Sequence, residues 1–122
     1  MTVQGLVLLT EDDMLVRETI ADLLELDGFQ VAKACNADEA MTILEADPQS
    51  VAILVTDLSM PGENGIALVK RVRGLRPGLP AIILTGVTEE PPCAGLEGRG
   101  FCVLRKPVLG DDLAQHIKRL IA

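Results

Sequence analysis

Aromatic residues are scarce in this 122-residue chain, which has no tryptophan or tyrosine and only two phenylalanines, Phe29 and Phe101. Proteins that bind single-stranded nucleic acid stack bases on aromatic side chains, so this scarcity argues against that class. Basic residues are also few, because 11 lysines and arginines stand against 18 aspartates and glutamates, for a net charge of −7. Phosphate-rich surfaces are bound mainly through lysine and arginine. We therefore predict no nucleic-acid partner and no membrane contact.

Long hydrophobic runs are missing as well. The apolar stretches 51–55 and 81–84 are far shorter than the roughly 20 residues that span a bilayer. No basic, apolar and small-residue succession of the secretory type opens the chain. The three cysteines, Cys35, Cys93 and Cys102, cannot all pair with one another and show no Cys-x-x-Cys spacing. We therefore predict that the cysteines are reduced thiols and that the protein is cytoplasmic.

Two hydrophobic periodicities alternate along the chain. Its composition, with 48% hydrophobic and 24% charged residues, is typical of a globular protein. Its length predicts a single domain, residues 1–122. Apolar stripes at helical spacing separate short apolar runs that predict five strands, at 6–9, 31–35, 51–55, 81–84 and 101–104. This alternation predicts an α/β fold with a doubly wound, five-stranded parallel sheet, flavodoxin-like in its order 2-1-3-4-5.

Local signals place the helix ends. Gly28 is expected to stop the first helix, and Asn36 with Glu39 resembles a capping box at the start of the second. Asp13 is interpreted as a cap of the first helix. The segment between the fourth and fifth strands contains Pro91, Pro92, Gly95, Gly98 and Gly100. Because proline and glycine destabilise helix interiors, we expect a short or distorted fourth helix.

Polar residues follow four of the five predicted strands. Glu11 and Asp12 leave the first strand, Asp57 the third, Thr85 the fourth and Lys106 the fifth. Since ligands of open parallel sheets bind beyond the carboxyl ends of the strands, these side chains should share one site. Grouped carboxylates suit Mg²⁺, and a lysine and a hydroxyl suit phosphoryl oxygens. Such a site favours phosphoryl transfer, with a carboxylate able to act as the nucleophile.

The order and spacing of these residues are similar to those of the response-regulator receiver domain of two-component signalling. The resemblance covers essentially the whole chain and rests on Glu11-Asp12, Arg17, Asp57-Leu58-Ser59-Met60-Pro61 with Gly65, Thr85-Gly86 and Lys106-Pro107. Thr85-Gly86, together with the non-aromatic Val103 and the proline-rich and glycine-rich segment, resembles receivers attached to hybrid histidine kinases.

The resemblance implies a Mg²⁺-dependent phosphorelay. It assigns Asp57 as the phosphoacceptor, taking its phosphoryl group from the phosphohistidine of a histidine kinase or a phosphotransfer protein. It assigns Asp12, Asp57 and the backbone carbonyl of Ser59 as Mg²⁺ ligands, with Glu11 acting from the outer shell through water. On this interpretation the chain is not an enzyme and only assists its own phosphorylation and dephosphorylation.

The same resemblance gives roles to residues around the phosphoryl group. Thr85 and Lys106 would each contact a phosphoryl oxygen, and the backbone N–H groups of Leu58 and Gly86 are further donors. The bond from Lys106 to Pro107 would be cis, an isomer that proline alone makes accessible at low cost.

One position departs from the family pattern. Many receivers carry an aromatic side chain three residues before the site lysine, where this chain has Val103. The usual output surface is therefore expected to be altered. Two other functions stay open: a Mg²⁺-dependent phosphatase or phosphotransferase-like enzyme, and a protein-binding scaffold in which Asp57 is never phosphorylated. The sequence leaves open the cognate kinase, the oligomeric state and whether the chain stands alone or belongs to a longer protein.

Overall fold

The strands of the protein form one parallel sheet. The computed structural model describes residues 5–86, 100–106 and 110–121. Its strands are β1 (Leu6–Thr10), β2 (Gln30–Ala34), β3 (Val51–Asp57), β4 (Ala81–Thr85) and β5 (Phe101–Arg105). They pair in the order β2-β1-β3-β4-β5, every pair parallel. The doubly wound topology expected from the sequence is confirmed.

Helices connect the strands and cover the sheet. The described residues contain α1 (Met14–Leu26), α2 (Ala37–Ala46), α3 (Gly65–Leu75) and α4 (Gly110–Ile121), with a short 3₁₀ helix at Pro48–Ser50. The short or distorted helix expected between the fourth and fifth strands lies outside the described residues. None of the described helices has the length and apolar character needed to cross a membrane.

Side-chain caps fix where the helices begin. Asp13 Oδ1 accepts a hydrogen bond from the Val16 N–H at 3.1 Å, which confirms the expected cap of α1. Asn36 Oδ1 accepts from the Glu39 N–H at 2.8 Å at the start of α2. The return bond of the expected capping box is displaced by one residue, because Glu39 Oε1 accepts from the N–H of Cys35. Each cap satisfies a backbone donor that the helix itself leaves unpaired.

Two apolar layers hold the sheet between the helices. Leu8 and Leu54 face the layer shared with α2 and α3, whereas Leu9 and Val55 face the layer shared with α1 and α4. All four side chains are fully buried. Successive residues of a strand point to opposite faces, so an unbroken apolar run is what a strand covered on both sides requires. This packing leaves the carboxyl ends of the strands for polar residues.

Candidate functional site

The carboxyl ends of four strands bring the predicted site residues together. Asp57 is the last residue of β3 and Thr85 the last of β4, whereas Glu11 and Asp12 follow β1 directly. The register pairs Asp57 with Leu84, which sets Thr85 one residue beyond it. Lys106 follows β5, and its backbone N–H donates to the Thr85 carbonyl at 2.7 Å. The sheet order thus brings these residues together at the carboxyl ends of the strands, and this end of the sheet is the candidate site.

Lys106 contacts two carboxylates of the site, one after β1 and one at the end of β3. Its ammonium Nζ lies 2.8 Å from Asp57 Oδ1. The same Nζ donates to Glu11 Oε2 at 3.0 Å, across 95 residues of sequence. Burial acts to lower the pKa of Lys106, but the hydrogen bonds to Asp57 and Glu11 outweigh it and raise that pKa above 10.5. The ammonium is therefore fully charged at neutral pH.

Glu11 is the most buried carboxylate of the site, with 2% of its surface exposed. Its Oε1 accepts from the N–H of Asp13 at 3.2 Å, so both carboxylate oxygens are bonded. Burial, reinforced by the nearby charge of Asp57, raises the pKa of Glu11 above 4.5, although the bonds to Lys106 and Asp13 act to lower it. Glu11 consequently loses its proton less readily than an exposed glutamate.

Three carboxylates form the acidic part of the site. Glu11, Asp12 and Asp57 each offer an oxygen, and these oxygens lie within 4.8 Å of one another. Asp12 is exposed whereas the other two are buried, so the cluster opens to solvent on the side of Asp12. An all-oxygen donor set that includes an exposed carboxylate fits Mg²⁺, which keeps several of its waters.

The other predicted residues surround this cluster. Thr85 is buried, with 2% of its surface exposed, and Gly86 is exposed. Ser59 is exposed two residues after Asp57, and its role through the carbonyl stays a prediction. Val103 is half-buried and packs against the layer of α2 and α3. Pro107, and with it the expected cis bond, lies outside the described residues.

One expected donor is already engaged. The Leu58 N–H donates to the Leu84 carbonyl at 2.8 Å, continuing the pairing of β3 with β4. To bond a phosphoryl oxygen this N–H would have to leave the Leu84 carbonyl, because a backbone donor serves one strong acceptor at a time, and its role toward a phosphoryl group stays a prediction. The Leu58 carbonyl is engaged too, since it accepts from the Gly65 N–H at 2.8 Å.

Two residues next to the site received no role from the sequence. Arg17 Nη1 donates to the Glu11 carbonyl at 3.0 Å. The first turn of a helix ordinarily favours acidic side chains, so an arginine there was the available signal. Thr10 is fully buried, and no polar atom of the described residues is a hydrogen-bond partner of its hydroxyl. A threonine ending the apolar run Leu6–Leu9 was the corresponding signal.

Comparisons with known proteins agree with this geometry. The sequence model of the response regulator receiver domain matches residues 7–118. The chain is 34% identical over 93% of its length to the C4-dicarboxylate transport transcriptional regulatory protein DctD of Rhizobium meliloti, and covers 24% of it. It is 32% identical over 99% of its length to the transcriptional regulatory protein FixJ of Bradyrhizobium diazoefficiens, and covers 58% of it.

Solved structures show the same similarity. A response regulator receiver domain from Clostridium thermocellum superposes with a TM-score of 0.88 and 29% identity, over 96% of this chain and 94% of that one. The receiver domain of the hybrid histidine kinase CckA superposes with a TM-score of 0.82 and 30% identity, over 97% of this chain and all (100%) of that one. The chain thus matches whole receiver domains, but only 24% to 58% of the length of its curated relatives.

Proposed function

Since this chain belongs to the response regulator receiver family of two-component signalling, we propose that its Asp57 accepts a phosphoryl group from a phosphohistidine. The donor is a histidine kinase or a histidine phosphotransfer protein. The observation that carries this proposal is the pairing of Asp57 with Lys106 at 2.8 Å, inside a cluster that also holds Glu11 and Asp12. An ammonium and a set of metal-binding oxygens around one strand-end carboxylate are what phosphoryl transfer needs.

The transfer uses Asp57 as a nucleophile. A carboxylate oxygen of Asp57 bonds to phosphorus as the bond from phosphorus to the histidine nitrogen breaks. The electron pair of that bond goes to the leaving imidazole, and the product is an acyl phosphate on Asp57. Lys106 already donates to Asp57 Oδ1, so its ammonium is in place to neutralise charge on a phosphoryl oxygen. The hydroxyl of Thr85, at the end of the neighbouring strand, is the proposed second contact, with the Gly86 N–H beside it.

Magnesium is the proposed cofactor. Asp12, Asp57 and the Ser59 carbonyl would hold it, with Glu11 acting through water. When bound, Mg²⁺ supplies positive charge that offsets repulsion between the carboxylates and the incoming phosphoryl oxygens. The chain's own part is to hold these oxygens in one cluster, within 4.8 Å for the three carboxylates.

The proposed output is a signal rather than turnover. Receiver domains are signalling domains, and we propose that residues 1–122 form one such domain, which catalyses only its own phosphorylation and dephosphorylation. A partner protein would then recognise the phosphorylated state. The reaction is assigned to the cytoplasm, where Cys35 and Cys102, both free thiols in the structure, stay reduced.

The test is phosphorylation by a small donor. The protein is incubated with Mg²⁺ and acetyl phosphate, and intact mass spectrometry counts phosphoryl groups. We expect one adduct on the wild-type protein, one on Asp13→Asn and none on Asp57→Asn. Asp13 is the matched control, because it is an exposed neighbouring carboxylate and asparagine caps a helix as well as aspartate. An adduct that persists in Asp57→Asn would show that the acceptor is wrong. Turnover of a phosphate ester far beyond one equivalent would instead identify a phosphatase-like enzyme.

A further inference from the structure

We propose that Arg17 is a positioning residue that holds the turn carrying Glu11 and Asp12 in the geometry that binds Mg²⁺. This inference deepens the proposed function and rests on it. Arg17 touches none of the carboxylates of the cluster directly. It acts on the backbone from which two of them project.

The contacts of Arg17 lie on both sides of Asp12. Its guanidinium Nη1 donates to the carbonyl of Glu11 at 3.0 Å, and its backbone N–H donates to the carbonyl of Asp13 at 2.8 Å. The Glu11 N–H in turn donates to the carbonyl of Ala34 on β2 at 3.1 Å. The backbone on each side of Asp12 is thereby fixed, although the Asp12 side chain itself is exposed.

Two ion pairs that share Glu18 orient the guanidinium of Arg17. Glu18 Oε2 lies 3.7 Å from Arg17 Nε, and Glu18 Oε1 accepts from Lys33 Nζ at 2.8 Å. Lys33 belongs to β2, so the chain of contacts runs from the sheet through Glu18 to the turn after β1. The Arg17 side chain is only 16% exposed. An arginine that is partly buried and already held by an ion pair loses little conformational freedom when it donates a hydrogen bond to a carbonyl.

Positioning and charge have opposite effects here, which makes the inference testable. The positive charge of Arg17 repels a cation in the neighbouring cluster, so this effect alone would weaken Mg²⁺ binding. Its hydrogen bond to the Glu11 carbonyl orders two of the oxygen donors, and this effect strengthens binding. Groups that orient metal ligands from outside the coordination shell change metal affinity by about 10-fold to 100-fold when removed.

Isothermal titration with MgCl₂ measures the affinity in the absence of any phosphodonor. We expect Arg17→Met to bind Mg²⁺ about tenfold more weakly than the wild type. Arg17→Lys, which keeps a donor of similar reach, should recover most of that loss. The matched control is Arg76→Met, because the Arg76 guanidinium also donates to backbone carbonyls, those of Pro48 at 2.5 Å and Val51 at 2.8 Å. Those carbonyls lie at and just before the first residue of β3, at the end of the strand opposite Asp57, so this variant should bind Mg²⁺ as the wild type does.

Each result of these titrations either supports or overturns the positioning role of Arg17. Arg17→Met with unchanged or tighter binding would overturn the positioning role, since the charge effect would then prevail. Equal weakening in Arg76→Met would overturn it too, because the loss would reflect general destabilisation. If circular dichroism shows Arg17→Met to be unfolded, the polar and shorter Arg17→Gln replaces it, with the same tenfold expectation. A wild-type protein that fails to bind Mg²⁺ would overturn the proposed function as well, whereas unchanged binding in the Arg17 variants overturns this inference alone.

Discussion

Replacing Lys106 by methionine tests how the site balances its charges. The change removes the ammonium that lies 2.8 Å from Asp57 and 3.0 Å from Glu11 and keeps a side chain of similar length. Two buried carboxylates then face each other without a cation. Breaking a buried ion pair costs about 3–5 kcal/mol. Because Lys106 is 27% exposed, we expect the free energy of unfolding to fall by about 3 kcal/mol at neutral pH.

The loss should depend on pH in a defined direction. Burial already raises the pKa of Glu11 above its ordinary 4.5, and removing Lys106 takes away contributions that lower it. A carboxyl whose pKa is higher in the folded state favours folding at low pH. That contribution disappears as the pH rises through the folded-state pKa. The stability deficit of Lys106→Met relative to the wild type should therefore be small at about pH 5 and large at about pH 8.

Urea unfolding followed by far-ultraviolet circular dichroism at both pH values is the assay, because the chain has no tryptophan or tyrosine for fluorescence. The control is Lys33→Met, which removes a lysine from an exposed pair with Glu18. Exposed pairs contribute little, so its midpoint should change slightly and equally at both pH values. A deficit of equal size at both pH values in Lys106→Met would refute the reasoning, since it would reflect lost packing of the lysine stem.

Three further substitutions test the surroundings of Asp57. Gly65→Ala should destabilise the protein by at least about 2 kcal/mol in urea unfolding, because its Cβ would overlap the backbone carbonyl oxygen of Asp57. Thr10→Val should raise the free energy of unfolding by about 1 kcal/mol in the same assay, because it replaces a buried hydroxyl that has no partner among the described residues. Asn64→Ala should lower it by about 1 kcal/mol, since the bond from the Ala67 N–H to the cap of α3 is lost.

Two matched substitutions serve as controls for these predictions. Gly74→Ala lies in the same helix as Gly65 with open space around its Cβ, so it should stabilise slightly and not destabilise. Asn64→Ser keeps a capping oxygen and should retain most of the stability that Asn64→Ala loses. A destabilised Thr10→Val would mean that the hydroxyl has a partner, such as a buried water, and would contradict the interpretation of that residue.

Much of the fold follows from local patterns. Val51–Val55 is apolar without alternation, which only a strand covered on both faces can use, and the structure places it at the centre of the sheet. The site followed from the sheet order, since the carboxyl ends of parallel strands meet at one edge. The engaged N–H of Leu58 was not predictable, because β3 continues its pairing two residues past the apolar run. The bond from Arg17 to Glu11 was also hidden, since residue spacing does not specify where a long side chain turns.

The position of β5 has a consequence for signalling. β5 is an edge strand of the sheet, paired on one side with β4, and Lys106 follows its last residue. Edge strands open more readily than central ones. A transient opening of β5 would withdraw the only ammonium that contacts Asp57 among the described residues, without requiring β1 and β3 to separate. The proposed reactivity of Asp57 toward phosphorus would then depend on local fluctuations of β5, and a partner that holds or releases this strand would change how long an acyl phosphate on Asp57 lasts.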